Sequence, residues 1–372
     1  MSDPYFTQLS ETLRTHGVDQ PVVAIDLDRV EANCRAAQAS ADPGLDRRLV
    51  AKSLPCLPLL DHIRGLIPSS GLMSFSEPML MELLQAEQNT DHLIGKPLPV
   101  SSAARVLQTC AGAAYRVQWL IDTPERLRAY LTLAETSQTS LRLSLEVDIG
   151  LHRGGLRVDQ VSELAQVTSA HPNARLSGLM GYEAHLAKLP GVLKARATKA
   201  SAKAFEHAVA ALPEGAGYCL NTGGSLTFQS YRTPGPATEV AFGSILVKPS
   251  DFDHATTTGF QPAAFLATPV LKTMPSNPLP GLEFLPRRKT HIAIFGGHFL
   301  GQPVHPGGFT YSSVFGRSSN QEVWTGRSSH AVKPGDIALI RPSQSEAVLN
   351  LFGTVLALRE GQVIAEWPCL PN

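Results

Sequence analysis

Lys52, in the stretch Arg48-Leu-Val-Ala-Lys-Ser53, is the residue of this sequence best suited to covalent chemistry. It falls where a short β-strand should end, with apolar residues behind it and a helix-like segment ahead. Partial desolvation at such a place favours the neutral amine, which can attack an aldehyde to give an imine. A lone lysine of this kind is more often a solvated loop residue, so its weight depends on its company. Asn221-Thr-Gly-Gly-Ser225 follows another apolar run. Adjacent glycines there let backbone N–H groups approach an anion, and Thr222 and Ser225 add hydroxyl donors. No Gly-Lys-Ser/Thr follows, so this is not a nucleotide-binding Walker loop. The next apolar run ends in Phe242-Gly-Ser244, a second glycine turn.

Two further stretches carry polar groups at the ends of apolar runs. Glu146-Val-Asp-Ile-Gly-Leu-His-Arg-Gly-Gly155 places Arg153 where it could hydrogen-bond an anionic oxygen such as a phenolate. Gly181-Tyr-Glu-Ala-His185 offers the flat ring of Tyr182 and the imidazole of His185. Surface exposure explains an isolated arginine or histidine equally well. An amine tether, an anion cradle and a ring anchor together suggest an enzyme built around pyridoxal phosphate.

The elements that must position these residues are legible as an alternation. Short apolar runs at 22–27, 48–53, 72–75, 92–94, 117–122, 141–148, 176–181, 217–222 and 238–243 are separated by segments of helical period, among them 29–41, 125–135, 158–169 and 193–211. Asp28 followed by Glu31 has the spacing of a helix-start capping box. Strands alternating with helices imply parallel βαβ units. With the first run set aside, eight remain, which predicts an α/β fold of the (β/α)8 TIM-barrel type with chemistry at the C-terminal strand ends. An open doubly wound sheet is the alternative.

After about residue 253 helical period disappears. Apolar runs at 265–270, 291–295, 312–315, 336–340 and 354–358 alternate with turn signals such as Lys333-Pro-Gly-Asp336 and Arg359-Glu-Gly-Gln362. The expected organisation is an N-terminal segment 1–20 packing with a β-domain, a cofactor-binding barrel 21–252 and a C-terminal β-domain 253–372. The first apolar run could pair with that β-domain.

Lys+Arg and Asp+Glu both number 32, so no net field recruits nucleic acid or an anionic membrane. No apolar run reaches the roughly 18 residues that a membrane helix needs, and the opening residues show no secretory pattern. The 5 cysteines lack a C-x-x-C pair and suit reduced thiols in the cytoplasm.

In order, the motifs resemble those of fold-type III pyridoxal phosphate enzymes, specifically the D-threonine aldolase and D-serine dehydratase branch related to alanine racemase. The likeness extends to Pro342-Ser-Gln-Ser-Glu-Ala-Val-Leu-Asn350 near the end. The resemblance implies an alanine racemase-like barrel with a C-terminal β-domain, a homodimer, and an amino-acid substrate. It implies that Lys52 is the Schiff-base lysine, that Arg153 faces the cofactor's 3-oxygen, and that Thr222, Gly223, Gly224, Gly243 and Ser244 hold the phosphate. Two departures stand out. Gln344 and Glu346 occupy the positions of the branch's divalent-metal ligands, and a neutral amide is a poor substitute for imidazole. His298 and His305 are alternative ligand candidates. Ala241 stands where alanine racemases place an arginine against the ring nitrogen, which favours the aldolase/dehydratase branch.

The expected activity is a lyase reaction on a small D-β-hydroxy amino acid, either aldol cleavage or dehydration, with Lys52 as base. His185, Glu346 or a β-domain histidine would handle the β-oxygen. The runner-up is an amino-acid racemase using Tyr311 as its second acid/base. A non-catalytic pyridoxal phosphate carrier and a metal-dependent hydrolase barrel are the readings from other classes.

Overall fold

A computed structural model describes residues 3–86, 89–215, 217–278, 280–285, 289–327 and 331–371. Strand β1 (Val22–Asp26) is followed by eight parallel strands that close a barrel. These are β2 (Asp46–Val50), β3 (Gly71–Ser74), β4 (His92–Ile94), β5 (Val117–Ile121), β6 (Leu141–Val147), β7 (Ala174–Gly181), β8 (Cys219–Thr222) and β9 (Glu239–Phe242). Closure is made by β2 and β9, which pair in parallel with Leu49 opposite Phe242. The open-sheet alternative is thereby excluded.

By compactness the chain falls into two units. One comprises Met1–Asn33, Leu54–Pro58 and Ser244–Cys369; the other comprises Cys34–Ser53, Leu59–Gly243 and Leu370–Asn372. Residues 21–33 and 244–252, drawn with the barrel on sequence grounds, therefore group with the second sheet. Backbone hydrogen bonding gives the reason for the first of these: β1 is sandwiched in that sheet, antiparallel to β10 (Ala264–Met274) and parallel to β16 (Thr354–Arg359). The sheet also contains β11 (Thr290–Phe295), β12 (Gly301–His305), β13 (Phe309–Tyr311), β14 (Gln321–Gly326), β15 (Ile337–Pro342) and β17 (Gln362–Pro368). The first helix, Pro4–His16, buries Leu9 and Leu13 in a cluster with Phe265, Leu339 and Leu356, while Ser10 donates to the carbonyl of Ile337 at 2.8 Å.

Two local expectations need correction. Asp28 and Glu31 do not cap their helix, which begins one residue earlier, at Leu27. Asp26 accepts the Arg29 N–H at 3.1 Å instead, and Asp28 and Glu31 turn to the hairpin of β16 and β17, where they meet the Glu360 N–H and Arg359. The apolar run 312–315 is not a strand. Ser312 uses its hydroxyl to accept from Val314 and Phe315 N–H, which curls the chain into a turn.

The barrel interior is not filled by aliphatic layers alone. Arg48 on β2 is 2% exposed and lies between Glu239 of β9 (2.6 Å) and Asp91 just before β4 (2.8 Å). Asp91 also pairs with Arg142 of β6 at 2.5 Å and accepts from Gln118 of β5. Asn221 of β8 and Ser70 donate to Glu239. Burial opposes the charge on Glu239, but Arg48 and these hydrogen bonds hold its carboxyl below the usual carboxylate range. Seven of the eight strands, all but β7, are thus tied by their own or their leading residues through one polar network near the N-terminal strand ends.

Candidate active site

The C-terminal strand ends carry the residues singled out for chemistry, and neighbour contacts link them around the rim. Lys52 lies in a single 3-10 turn, Ala51–Ser53, directly after β2. Its Nζ stands 4.5 Å from the centre of the Phe75 ring, which follows β3, a contact that keeps the amine against an apolar wall. On the other side of Lys52 is the end of β9. A methyl group on Gly243 would fall 2.7 Å from the Val50 carbonyl oxygen and 3.1 Å from Ser53 Cβ. Only glycine permits that approach, so the two segments pack backbone to backbone.

The Gly243 N–H donates to Ser225 Oγ at 3.3 Å, joining the ends of β9 and β8. Gly223 takes the left-handed conformation (φ +77°) that glycine tolerates best. Gly224 lies under Tyr182, where an added Cβ would meet the ring at 2.6 Å. The guanidinium of Arg153 is 5.5 Å from the centre of that same ring. Lys52, Gly243, Ser225, Gly224, Tyr182 and Arg153 are therefore successive neighbours, although 101 residues of sequence separate Lys52 from Arg153.

Behind the glycine turn is a residue that sequence reasoning passed over. Glu183 is fully buried and accepts from the hydroxyls of Thr222 (3.2 Å) and Thr227. Burial pushes its carboxyl up, against the hydrogen bonds it receives. Thr222 also contacts the Tyr231 hydroxyl at 2.9 Å, and Gly224 N–H donates to Thr227 at 3.0 Å. The Thr222 hydroxyl is thus committed to bracing the loop. The only sequence signal for Glu183 was its place beside Tyr182.

With this geometry in hand, comparison with known proteins decides the family. Residues 25–251 match the model described as "Alanine racemase, N-terminal domain". The chain belongs to that family. The resemblance to fold-type III pyridoxal phosphate enzymes holds in structure as well. D-threonine aldolase from Filomicrobium marinum superposes with a TM-score of 0.75 at 16% identity, covering 94% of this chain and 96% of that one. D-threo-3-hydroxyaspartate dehydratase from Delftia sp. HT23 gives 0.78 at 16% identity, covering 97% and 99%. Alanine racemase of Clostridium difficile 630 gives 0.73 at 12% identity, covering 93% and 98%. These identities speak for a shared fold, and comparison with curated proteins gives no match.

Within the family's barrel, two titratable groups at the C-terminal strand ends are shifted. Glu146, at the end of β6, has its carboxyl pushed up to about 7, chiefly by burial and then by Asp122, against the pull of Arg153. A carboxyl that prefers its proton when folded gives stability that is full below its ordinary value of 4.5 and is lost as pH rises through about 7. In cofactor-free protein, Glu146→Gln is therefore expected to be more stable than the parent at pH 8 by about 2–3 kcal/mol. The advantage should shrink toward pH 5, as urea unfolding at both values would read. The second group is His185. Burial, then the neighbouring His152, lowers its pKa, and its Nδ1 is buried with no hydrogen-bond partner among the described residues. A methyl on Gly150 would stand 3.4 Å from its Nε2, so the imidazole lies over the glycine turn after β6.

The remaining candidates lie in the sheet unit. The Ser244 and Ser345 hydroxyls share a hydrogen bond of 3.1 Å. Tyr311 on β13 packs edge-on against Trp324, with Arg317 stacked 4.1 Å from its ring centre, and burial pushes its hydroxyl up to about 12. Gln344 donates to Asp251 at 3.2 Å, and Glu346 accepts from Ser345 at 2.9 Å. The His298 N–H donates to Glu322, and His305 Nδ1 is buried with no partner among the described residues. No group of three or more His, Cys, Asp or Glu suited to a metal ion occurs among the described residues. Nor, among them, is any helix long and apolar enough to cross a membrane.

Proposed function

We propose that this chain is a pyridoxal phosphate-dependent lyase acting on small D-β-hydroxy amino acids, by aldol cleavage or by dehydration. The observation that carries this reading is the barrel's closure, because the β2–β9 pairing sets Lys52 beside the glycine turns after β8 and β9. The fit of the cofactor is supported by the Lys52 amine and the Arg153 guanidinium, which stand at the two ends of one run of contacts through the glycine turns. Lys52 would tether the aldehyde. The turn from Gly223 to Ser225, with Gly243 and Ser244, would hold the phosphate, while Tyr182 and Arg153 would meet the ring and its 3-oxygen. Bound there, the cofactor supplies a sink for negative charge developing at Cα.

The chain's own residues do the rest. The Lys52 amine would serve as the acid/base at Cα, taking its proton in dehydration and returning one to it after aldol cleavage. The Phe75 ring covers one side of that amine. Arg153, held against Tyr182, presents a fixed positive charge to the ring oxygen. His185 is neutral near pH 7 and is the group of this barrel best suited to exchange a proton with the β-oxygen.

The discriminating experiment is product analysis after incubation with each enantiomer of serine, threonine and 3-hydroxyaspartate. A keto acid with ammonia, or glycine with an aldehyde, formed from the D-enantiomers is the expected result. The antipode as sole product would replace the lyase with a racemase, and no turnover or Cα–deuterium exchange with any of them would point to a carrier.

A further inference from the structure

A second polar cleft lies at the opposite end of the barrel from Lys52. It has a volume of about 490 Å³ and opens among the N-terminal ends of β6, β7 and β8, with Tyr115, Arg142, Arg175, Ser177 and Tyr218 on its walls. Arg142 and Arg175 are ladder partners on neighbouring parallel strands, so their side chains project to the same face. Like charges directly opposite each other are unfavourable. Arg142 has a counter-charge in Asp91, through Nη1 alone. Arg175 is exposed and takes part in no recorded ion pair or side-chain hydrogen bond among the described residues. The cleft's lining contains no acidic residue.

Ser177 supplies an independent observation. It is the extra residue of a bulge in β7, where ladder partners step from Leu176–Leu143 to Gly178–Ser144. Bulges re-aim a side chain. The Ser177 side chain is 93% buried by virtue of its 7% exposure, and its Oγ has no partner among the described residues. A buried hydroxyl without a partner costs on folding unless something else satisfies it.

We propose that this cleft binds a small organic polyanion, its phosphate or carboxylate group seated against Arg175 and the free edge of Arg142. Ser177, whose Oγ is buried in the cleft wall, would add its hydroxyl to the donor set by rotation about χ1, and the rings of Tyr115 and Tyr218 flank the ligand's body. Guanidinium pairs recognise both anion types bidentately, so the ligand is either a phosphate monoester or a dicarboxylate. The site is separate from the cofactor cradle and does not depend on the activity proposed above.

Isothermal titration of the full chain, saturated with pyridoxal phosphate, tests the assignment at low ionic strength, where exposed arginines are least screened. The probes are inorganic phosphate, adenosine monophosphate and malate, titrated into the parent, Arg175→Gln and Arg153→Gln. At least one probe should bind the parent with a sub-millimolar Kd. Binding should weaken tenfold or more in Arg175→Gln and be unchanged in Arg153→Gln. Preference among the probes separates phosphate esters from dicarboxylates. No binding by any probe below about 10 mM would overturn the proposal. So would equal affinity in parent and Arg175→Gln, or a loss confined to Arg153→Gln.

Discussion

Replacing Lys52 by alanine should abolish covalent retention of pyridoxal phosphate and lower turnover more than about 10³-fold, within the range a positioned base contributes. Its side chain is the amine that the fold brings next to the glycine turns of β8 and β9 while keeping it against the Phe75 ring. Folding should be unaffected, because the residue sits in a one-turn connection and not in the barrel ladder. Single-turnover assays with added small primary amines check the role as well as the loss. Partial restoration would identify a missing base, and a variant retaining a tenth of parental turnover would remove Lys52 from the chemistry.

The largest stability effect should come from the opposite end of the barrel. Arg48→Met removes the cation between Glu239 and Asp91 and leaves Glu239 buried with an uncompensated charge. Removing one partner of a buried pair costs about 3–5 kcal/mol, measurable as a lowered urea midpoint. Arg48→Met combined with Glu239→Leu should recover most of that loss, since an apolar pair of similar volume can replace a buried ion pair. A single variant within about 1 kcal/mol of the parent would mean the network carries no such weight.

That network was invisible in the sequence, and the reason is physical. Arg48, Asp91, Gln118, Arg142 and Glu239 read individually as polar residues at the starts of apolar runs, where solvent is the ordinary expectation. Only barrel closure, across nearly 200 positions between Arg48 and Glu239, turns them inward. The C-terminal rim was more legible because its signals are local. Glycines 223, 224 and 243 and the lysine at position 52 each stand at the end of an apolar run, and strand ends of a barrel share one face.

Strands β2 to β9 were found within a few residues because buried parallel strands read as continuous apolar runs. The sheet unit was harder. Strand β14 alternates half-buried and buried positions and β17 exposed and half-buried ones, and β12 carries Pro303 on a half-exposed strand. None of the three presents a continuous apolar run. Glu183 shows the same limit at the site: its three-residue contact set with Thr222 and Thr227 exists only once β7 and β8 lie side by side.

The account rests on a covalent bond between one side chain and the cofactor aldehyde. Borohydride reduction of protein saturated with pyridoxal phosphate, followed by peptide mapping, reads that bond directly. The pyridoxyl phosphate mass should appear on the peptide containing Lys52 and on no other lysine peptide. An unmodified Lys52 peptide, or a stoichiometric adduct at another lysine, would contradict it.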